Sequence, residues 1–314
     1  MMTLEKAVGV YVIAPTPFFP DATIDFVSID RLVDAYRAAG ATGLTVLGMM
    51  GEAAKLEVAE AEAVAERYIK RAEGLPVVVG VSAPGFASMR SLSRRAMDLG
   101  AAGVMIAPPP SLRTDDQIVG YYRNAVEAIG DDIPFVIQDF PLALGVVMTP
   151  EVIRRIVMDN PSCSMLKHED WPGLEKISVL RGYENRGSMR PISILCGNGG
   201  LFLDFEMSRG ADGAMTGYAF PEMLVDVVNY ARAGDFEAAH DIFDAHLPLV
   251  RYEQQPGVGL AVRKYVMKRR GLITSDTQRA PGGKLSSKAI DEIELLLRRL
   301  AIRDPRAVVT ASAR

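Results

Sequence analysis

The sequence predicts an α/β protein: a (β/α)8 TIM barrel with a C-terminal helical extension. Three observations carry that prediction. Eight short apolar segments rich in Val, Ile, Leu and Met recur along the first two hundred or so residues, as parallel strands covered on both faces do. Amphipathic helices alternate with them, each strand–helix pair taking roughly 25 to 30 residues. The first strand runs into Ala14-Pro15-Thr16-Pro17-Phe18, which lacks the glycine-rich phosphate turn expected of the competing open, doubly wound sheet.

The strand candidates are Val8–Ile13, Gly43–Leu47, Pro76–Gly80, Gly103–Ile106, Pro134–Ile137, Ser162–Lys167, Ile192–Leu195 and Gly213–Thr216. Between them, Asp30–Ala39 sets Leu32, Val33 and Tyr36 on one side and Arg31, Asp34 and Arg37 on the other, and Val58–Arg71 and Ser88–Leu99 repeat the pattern. Thr149-Pro150-Glu151 gives an N-cap followed by proline at the first helical position, and Ser286 opens the last helix. Pro221–Ala233, Phe236–Tyr252, Val258–Arg269 and Ser286–Ala301 are more helices than a barrel needs. The expected organisation is a barrel core over 1–220, helices packing on it over 221–303, and a frayed tail over 304–314.

Composition narrows the function classes. Hydrophobic residues are 49% of the 314-residue chain, enough for a large core, and charged residues are 24%. A net charge of −4, with no basic stripe bearing aromatics, argues against nucleic acid. No apolar run is long enough to span a membrane, and the opening Met1–Lys6 segment lacks signal-peptide design. Two cysteines, Cys163 and Cys196, make no disulfide framework, and His168, His240 and His246 make no zinc spacing. The expectation is a cytoplasmic protein without a bound metal.

Active sites of such barrels lie where the strands end. Lys167 closes the sixth strand, where an apolar pocket would strip its ammonium of water and free the amine as a nucleophile towards ketones. The other ends are Pro15–Phe18, Gly48–Glu52, Gly80–Ala83, Ala107–Pro110, Gln138–Pro141, Gly197–Gly200 and Thr216–Tyr218. The glycine-flanked Gly48–Glu52 turn, followed by a helical segment near Lys55, suits a carboxylate held by backbone N–H groups; a tight turn needing glycine only for geometry is the plainer alternative.

These ends, in order and at barrel spacing, resemble the dihydrodipicolinate synthase / N-acetylneuraminate lyase family of class I aldolases. The resemblance rests on Pro15-Thr16-Pro17-Phe18, on Gly48-Met49-Met50-Gly51-Glu52 where the family has Gly-Thr-Thr-Gly-Glu, on Lys167, and on Gly210–Met215 before the eighth strand. It covers Gly9 to about Leu300. It implies a Schiff-base lysine at Lys167, a small-molecule 2-oxo acid such as pyruvate as substrate or product, no cofactor beyond the covalent imine, and a homo-oligomer, often a tetramer.

Departures from the pattern narrow the activity. The family's relay tyrosine, in Tyr-Asn-x-Pro, is Gln138 of Gln138-Asp139-Phe140-Pro141. Its threonine pair is Met49 and Met50, the tyrosine pair after strand four is Pro109-Pro110, and an arginine beyond strand five is Ala143. Glutamine passes no proton at neutral pH and methionine offers no donor. The expectation is therefore a lyase other than an authentic dihydrodipicolinate synthase: an aldolase releasing pyruvate, or a dehydratase of 2-keto-3-deoxy sugar acids, a branch with a similar Gln-Asp-x-Pro stretch, in which Gln138 would orient a hydroxyl or a water. The rival from another class is a 2-oxo-acid binder or sensor that turns nothing over.

Lys167 and Gln138 are thus the catalytic candidates; Thr16, Gly48, Met49, Met50, Glu52, Met215 and Tyr218 are the substrate-binding ones. Tyr218, the hydroxyl aromatic at a strand end, is a candidate replacement donor, and Glu52 and Glu169 could act as bases; the plainer roles are that Thr16 caps its own turn, Glu52 and Glu169 cap helices, Tyr218 packs, and Met49, Met50 and Met215 are core. Strand alternation turns His168 and Asp139 towards the helices if Lys167 faces inward. Trp171 and Cys196 read as packing residues.

Overall fold

A computed structural model describes residues 4–309. The eight strands close into a parallel barrel in sequence order. They are β1 (Gly9–Ile13), β2 (Gly43–Val46), β3 (Val77–Gly80), β4 (Gly103–Ile106), β5 (Phe135–Asp139), β6 (Cys163–His168), β7 (Ser193–Cys196) and β8 (Gly213–Ala214). The helices between them are α1 (Phe26–Ala38), α2 (Val58–Ala72), α3 (Phe86–Asp98), α4 (Asp115–Ile129), α5 (Pro141–Leu144), α6 (Pro150–Asp159), α7 (Leu174–Asn185) and α8 (Leu203–Ser208). Four more follow β8: α9 (Pro221–Arg232), α10 (Phe236–Glu253), α11 (Gly259–Arg269) and α12 (Ser287–Arg303). None of the described helices is long and apolar enough to cross a membrane.

Alternation along the strands builds two cores. Val10, Val12, Leu44, Val46, Val79, Ile106, Ile137 and Leu166 face outward and meet the helices. Tyr11, Ile13, Val78, Met105, Val136, Met165, Leu195 and Met215 fill the barrel itself. The next inward positions above Val136 and Met165 are Gln138 and Lys167, which are register partners across β5 and β6. The sequence thus fills the barrel with mostly apolar side chains, Thr45 and Ser193 being inward hydroxyls among them, and sets the Gln138–Lys167 pair on top.

Most boundaries hold to within about two residues, β5 running on to Asp139 and α3 starting at Phe86, and three differences have a clear physical form. The first helix starts at Phe26, because Asp25 accepts from the Ser28 amide and caps it, four residues before apolar periodicity shows. The last strand is only Gly213–Ala214; Met215 and Thr216 remain bonded to the neighbouring strands through Met215 N to Cys196 O (2.8 Å) and Ile13 N to Thr216 O (2.9 Å). The tail expected to fray from Asp304 is docked instead: Asp304 is buried, pairs with His246 Nε2 at 3.0 Å and caps a short 3-10 turn at Pro305–Ala307. Residues 310–314 of that tail, and the first three residues of the Met1–Lys6 segment, lie outside the described residues.

Candidate active site

The ends of β5, β6 and β7 converge on the top of the barrel core. Lys167 is 5% exposed and points inward, with its Nζ 2.5 Å from Glu169 Oε1. Glu169 leaves β6 two positions later, so the strand period returns it to the same face; its amide still bonds Asp139 O at 2.9 Å, which extends the strand to that point. Gln138 Nε2 donates to the same Oε1 at 2.9 Å, and the Asn198 amide donates to Oε2 at 3.1 Å. The carboxylate is thereby held on both oxygens against the amine. Gly197 makes room for it: a Cβ there would lie 2.3 Å from Glu169 Cγ.

This differs from a lysine in purely apolar surroundings. Met165 and Met215 lie beneath, but the nearest group to the amine is a carboxylate positioned to take its proton. Glu169 does not cap a helix; α7 starts at Leu174 without a side-chain cap.

A cavity of about 100 Å3 opens above the amine. Gly48, Met49 and Met50 line it on the β2 side, Gln138 and Phe140 on the β5 side, and Thr216 and Gly217 beyond β8. Asn198 and Gly199 follow β7, while Gln254 and Arg263 come from the helical extension. Drug-sized pockets are several times larger, so this volume suits a small acid rather than an extended ligand. A larger, shallow depression of about 510 Å3 between the outer helices α3 and α4, walled by Phe86, Leu112 and Tyr121, holds none of the Lys167 constellation.

The remaining candidates divide. Gly48, Met49 and Met50 are in the cavity wall. Leu47 and Glu52, on either side of that turn, take left-handed backbone conformations, φ 56° and 53°, unfavourable for residues with a Cβ. Thr16 supports the turn from behind, its hydroxyl donating to Gly51 O at 2.6 Å. Glu52 faces away from the cavity: its carboxylate pairs with Lys264 (2.5 Å) and Lys55 (2.8 Å) and accepts from the Arg279 amide (3.1 Å). It supports the turn rather than contacting a ligand. Met215 lies beneath the cavity in the barrel core. Tyr218 is not a replacement donor; its ring is buried among the helices and its hydroxyl meets His246 Nδ1 at 3.0 Å.

His168 and Asp139 face outward, as alternation requires. Asp139 pairs with Lys176 at 2.7 Å, and burial still lifts its carboxyl to about 6. Burial pushes the His168 imidazole down to about 4, so it is neutral at pH 7. Cys163 and Cys196 are free and buried. Trp171 is half exposed and meets Phe202 edge-on, ring centroids 5.0 Å apart.

Sequence reasoning singled out neither Gln254 nor Arg263. Both belong to the helical extension, Gln254 just after α10 and Arg263 on α11, outside the strand-end pattern that located the others. Thr216 and Asn198 were already at strand ends, and Glu169, already a candidate base, gains from its spacing of two from Lys167.

The chain matches known proteins over nearly its whole length. The profile of the Dihydrodipicolinate synthetase family matches residues 6–300. An L-2-keto-3-deoxyarabonate dehydratase of Azospirillum brasilense is 28% identical over 297 residues, covering 93% of this chain and 94% of that protein. A probable 2-dehydro-3-deoxy-D-pentonate aldolase of Escherichia coli (strain K12), YjhH, is 27% identical, covering 94% of this chain and 97% of its own. The crystal structure of a dihydrodipicolinate synthase from Rhodopseudomonas palustris superimposes with a TM-score of 0.93 at 67% identity, over 95% of this chain and 99% of that one. The relatives are named as dehydratase, aldolase and synthase, so the chain is a lyase of the class I aldolase type. On the barrel, the site and the match over nearly its whole length, this chain belongs to the Dihydrodipicolinate synthetase family.

Proposed function

We propose that the protein is a Schiff-base dehydratase of 2-keto-3-deoxy sugar acids. The observation that carries this is the Lys167–Glu169–Gln138 cluster, which puts a carboxylate where the amine reacts. Glu169 takes the proton Lys167 must release, and the amine adds to the C2 ketone. Glu169 returns that proton to the carbinolamine oxygen, water leaves, and the carboxylate is ionised again beside a protonated imine between Nζ and C2, an electron sink for the neighbouring carbon.

Glu169 then removes a C3 proton, giving an enamine, and returns it to the C4 hydroxyl, which departs as water. One carboxylate serves both transfers, because C3 and C4 are adjacent and both lie near the imine. Gln138 keeps Glu169 oriented by donating to Oε1, a role that needs no titration. The Gly48–Gly51 turn holds the C1 carboxylate through its amides, fixing C2 over the amine. Two relatives named for 2-keto-3-deoxy or 2-dehydro-3-deoxy sugar acids favour this class. The methionines at 49 and 50 and the glutamine at 138 oppose a tyrosine–threonine relay, and with it authentic dihydrodipicolinate synthase activity. A homo-oligomer in the cytoplasm fits the same reading.

The test is a substrate panel. Incubation with 2-keto-3-deoxy pentonates should yield the dehydrated 2-oxo semialdehyde, and with hexonates the corresponding 2,5-dioxo acid, and borohydride should trap substrate on Lys167. Release of pyruvate from the same acids would move the assignment to an aldolase. Condensation of pyruvate with aspartate semialdehyde at a comparable rate would overturn it in favour of the synthase. Binding without turnover across the panel would mark a sensor.

A further inference from the structure

We infer that Arg263, on α11, anchors the C1 carboxylate of the 2-oxo acid beside the backbone amides of the Gly48–Gly51 turn. The inference rests on the reading of the cavity as a 2-oxo-acid site and adds to it the group that recognises the acid.

Arg263 is 6% exposed yet reaches the cavity wall from the helical extension. Its guanidinium is shared between two edges. Nε meets the buried carboxylate of Glu253, which compensates the charge. Nη1 is directed at the Met50 sulfur, a weak acceptor that a carboxylate oxygen readily outcompetes. Met50 belongs to the turn that follows β2, and Gly217, beside it, follows β8. The arginine therefore approaches on the β2–β8 side, across the barrel from the β5–β7 side that supplies Gln138, Lys167 and Glu169. An acid lying between them has its carboxylate towards Arg263 and its ketone towards the amine.

The position is built, not incidental. The next residue, Lys264, is fully buried and pins α11 to the turn: Nζ donates to Thr16 O at 2.8 Å and to Thr277 O at 2.9 Å and pairs with Glu52 at 2.5 Å. Glu52 ends the same Gly48–Gly51 turn. One ion pair therefore fixes backbone amides and guanidinium relative to each other, as recognition of a planar carboxylate requires.

Arg263→Gln and Arg263→Lys separate this role from mere support of the fold. Pyruvate binding is followed by calorimetry, and imine formation by borohydride trapping, with hydroxyacetone as a ketone that has no carboxylate. Arg263→Gln should weaken pyruvate binding about 10- to 100-fold, the loss expected for a hydrogen bond to a charged group. Hydroxyacetone trapping should be unchanged, and Arg263→Lys should recover part of the pyruvate affinity. Equal pyruvate affinities in wild type and Arg263→Gln would overturn the assignment. So would parallel weakening towards both ketones, which signals a collapsed site. Arginine-dependent pyruvate binding without any trapped adduct would support the anchor while removing the imine chemistry. A wild type that binds no pyruvate would overturn both.

Discussion

Lys167 and Glu169 stand two residues apart at the end of one strand, and their side chains meet over the barrel core, Nζ to Oε1 at 2.5 Å. The pleat makes this contact inevitable once residue 167 faces inward, since 169 then faces inward too. The pair separates two jobs that a single-residue variant can resolve. Glu169→Gln retains the volume and the hydrogen-bonding shape but takes no proton. Its kcat for sugar-acid dehydration should fall by about 10²- to 10⁴-fold, the usual size of a general acid–base contribution. Single-turnover trapping on Lys167 with borohydride should still label the variant, more slowly. Undiminished kcat would assign the proton transfers elsewhere.

Gly197 tests the same geometry from the opposite wall. A methyl group there would lie 2.3 Å from Glu169 Cγ and 2.6 Å from its carboxylate, so one of the two must move. Gly197→Ala should lower kcat by at least about tenfold, because misplacing a reacting group by an ångström costs up to about a hundredfold. Melting temperature and the far-UV spectrum should change little, since the displaced side chain borders a cavity. A fall in melting temperature with unchanged kcat would show that the backbone, not the carboxylate, yields.

Much of this was legible in the sequence because it follows a period. The inward set Val136, Gln138, Met165 and Lys167 reads directly off alternation, and the barrel off the repeat of short apolar strands. The outward turn of Asp139 and His168 follows from the same rule. What periodicity could not show is which inward groups meet. Glu169 reads first as a helix-capping acid: its spacing of two from Lys167 sets it on the same face only if the chain stays strand-like past His168, which nothing local reveals. Arg263 and Gln254 reach the cavity from α11 and the end of α10, and helix periodicity gives no hint that one face leans over the barrel mouth. Glu52 was misplaced for the opposite reason: a carboxylate at a strand end is adjacent to the site whichever way it points, and its partner Lys264 lies 212 positions away.

That Glu52–Lys264 pair makes a stability prediction. Both side chains are buried, and removing Lys264 leaves Glu52 Oε1 without its cation while Oε2 keeps Lys55 and the Arg279 amide. Lys264→Met should cost about 3 to 5 kcal/mol, the usual penalty for breaking a buried pair. Burial holds the Lys264 pKa down, opposed by Glu52, so the amine depends on that carboxylate to remain charged. Lys264→Met combined with Glu52→Gln should recover part of the loss, since no uncompensated charge remains. Urea unfolding of the three variants measures it. A double variant no more stable than Lys264→Met would show that the cost lies in the lost bonds to Thr16 O and Thr277 O.

Glu206 should make stability depend on pH in a direction opposite to that of most carboxylates. It sits on α8 behind β7, almost wholly buried, with Oε2 unpartnered in the interior. Burial lifts its pKa from 4.5 to about 8, against a hydrogen bond from the Cys196 thiol and with help from the nearby carboxylates of Asp204 and Glu169. The folded protein therefore keeps a proton that the unfolded chain releases near pH 4.5. The group's contribution is complete below that pH and is lost progressively as the pH climbs through about 8. Each pH unit inside the window removes up to about 1.4 kcal/mol. Glu206→Gln carries no titratable proton, so its stability relative to wild type should rise steadily from pH 5 to pH 8 and then level off. Urea unfolding at three pH values within that range decides it: parallel curves for variant and wild type would mean that Glu206 is ionised in the fold and that the interior behind β7 is wetter than its packing shows.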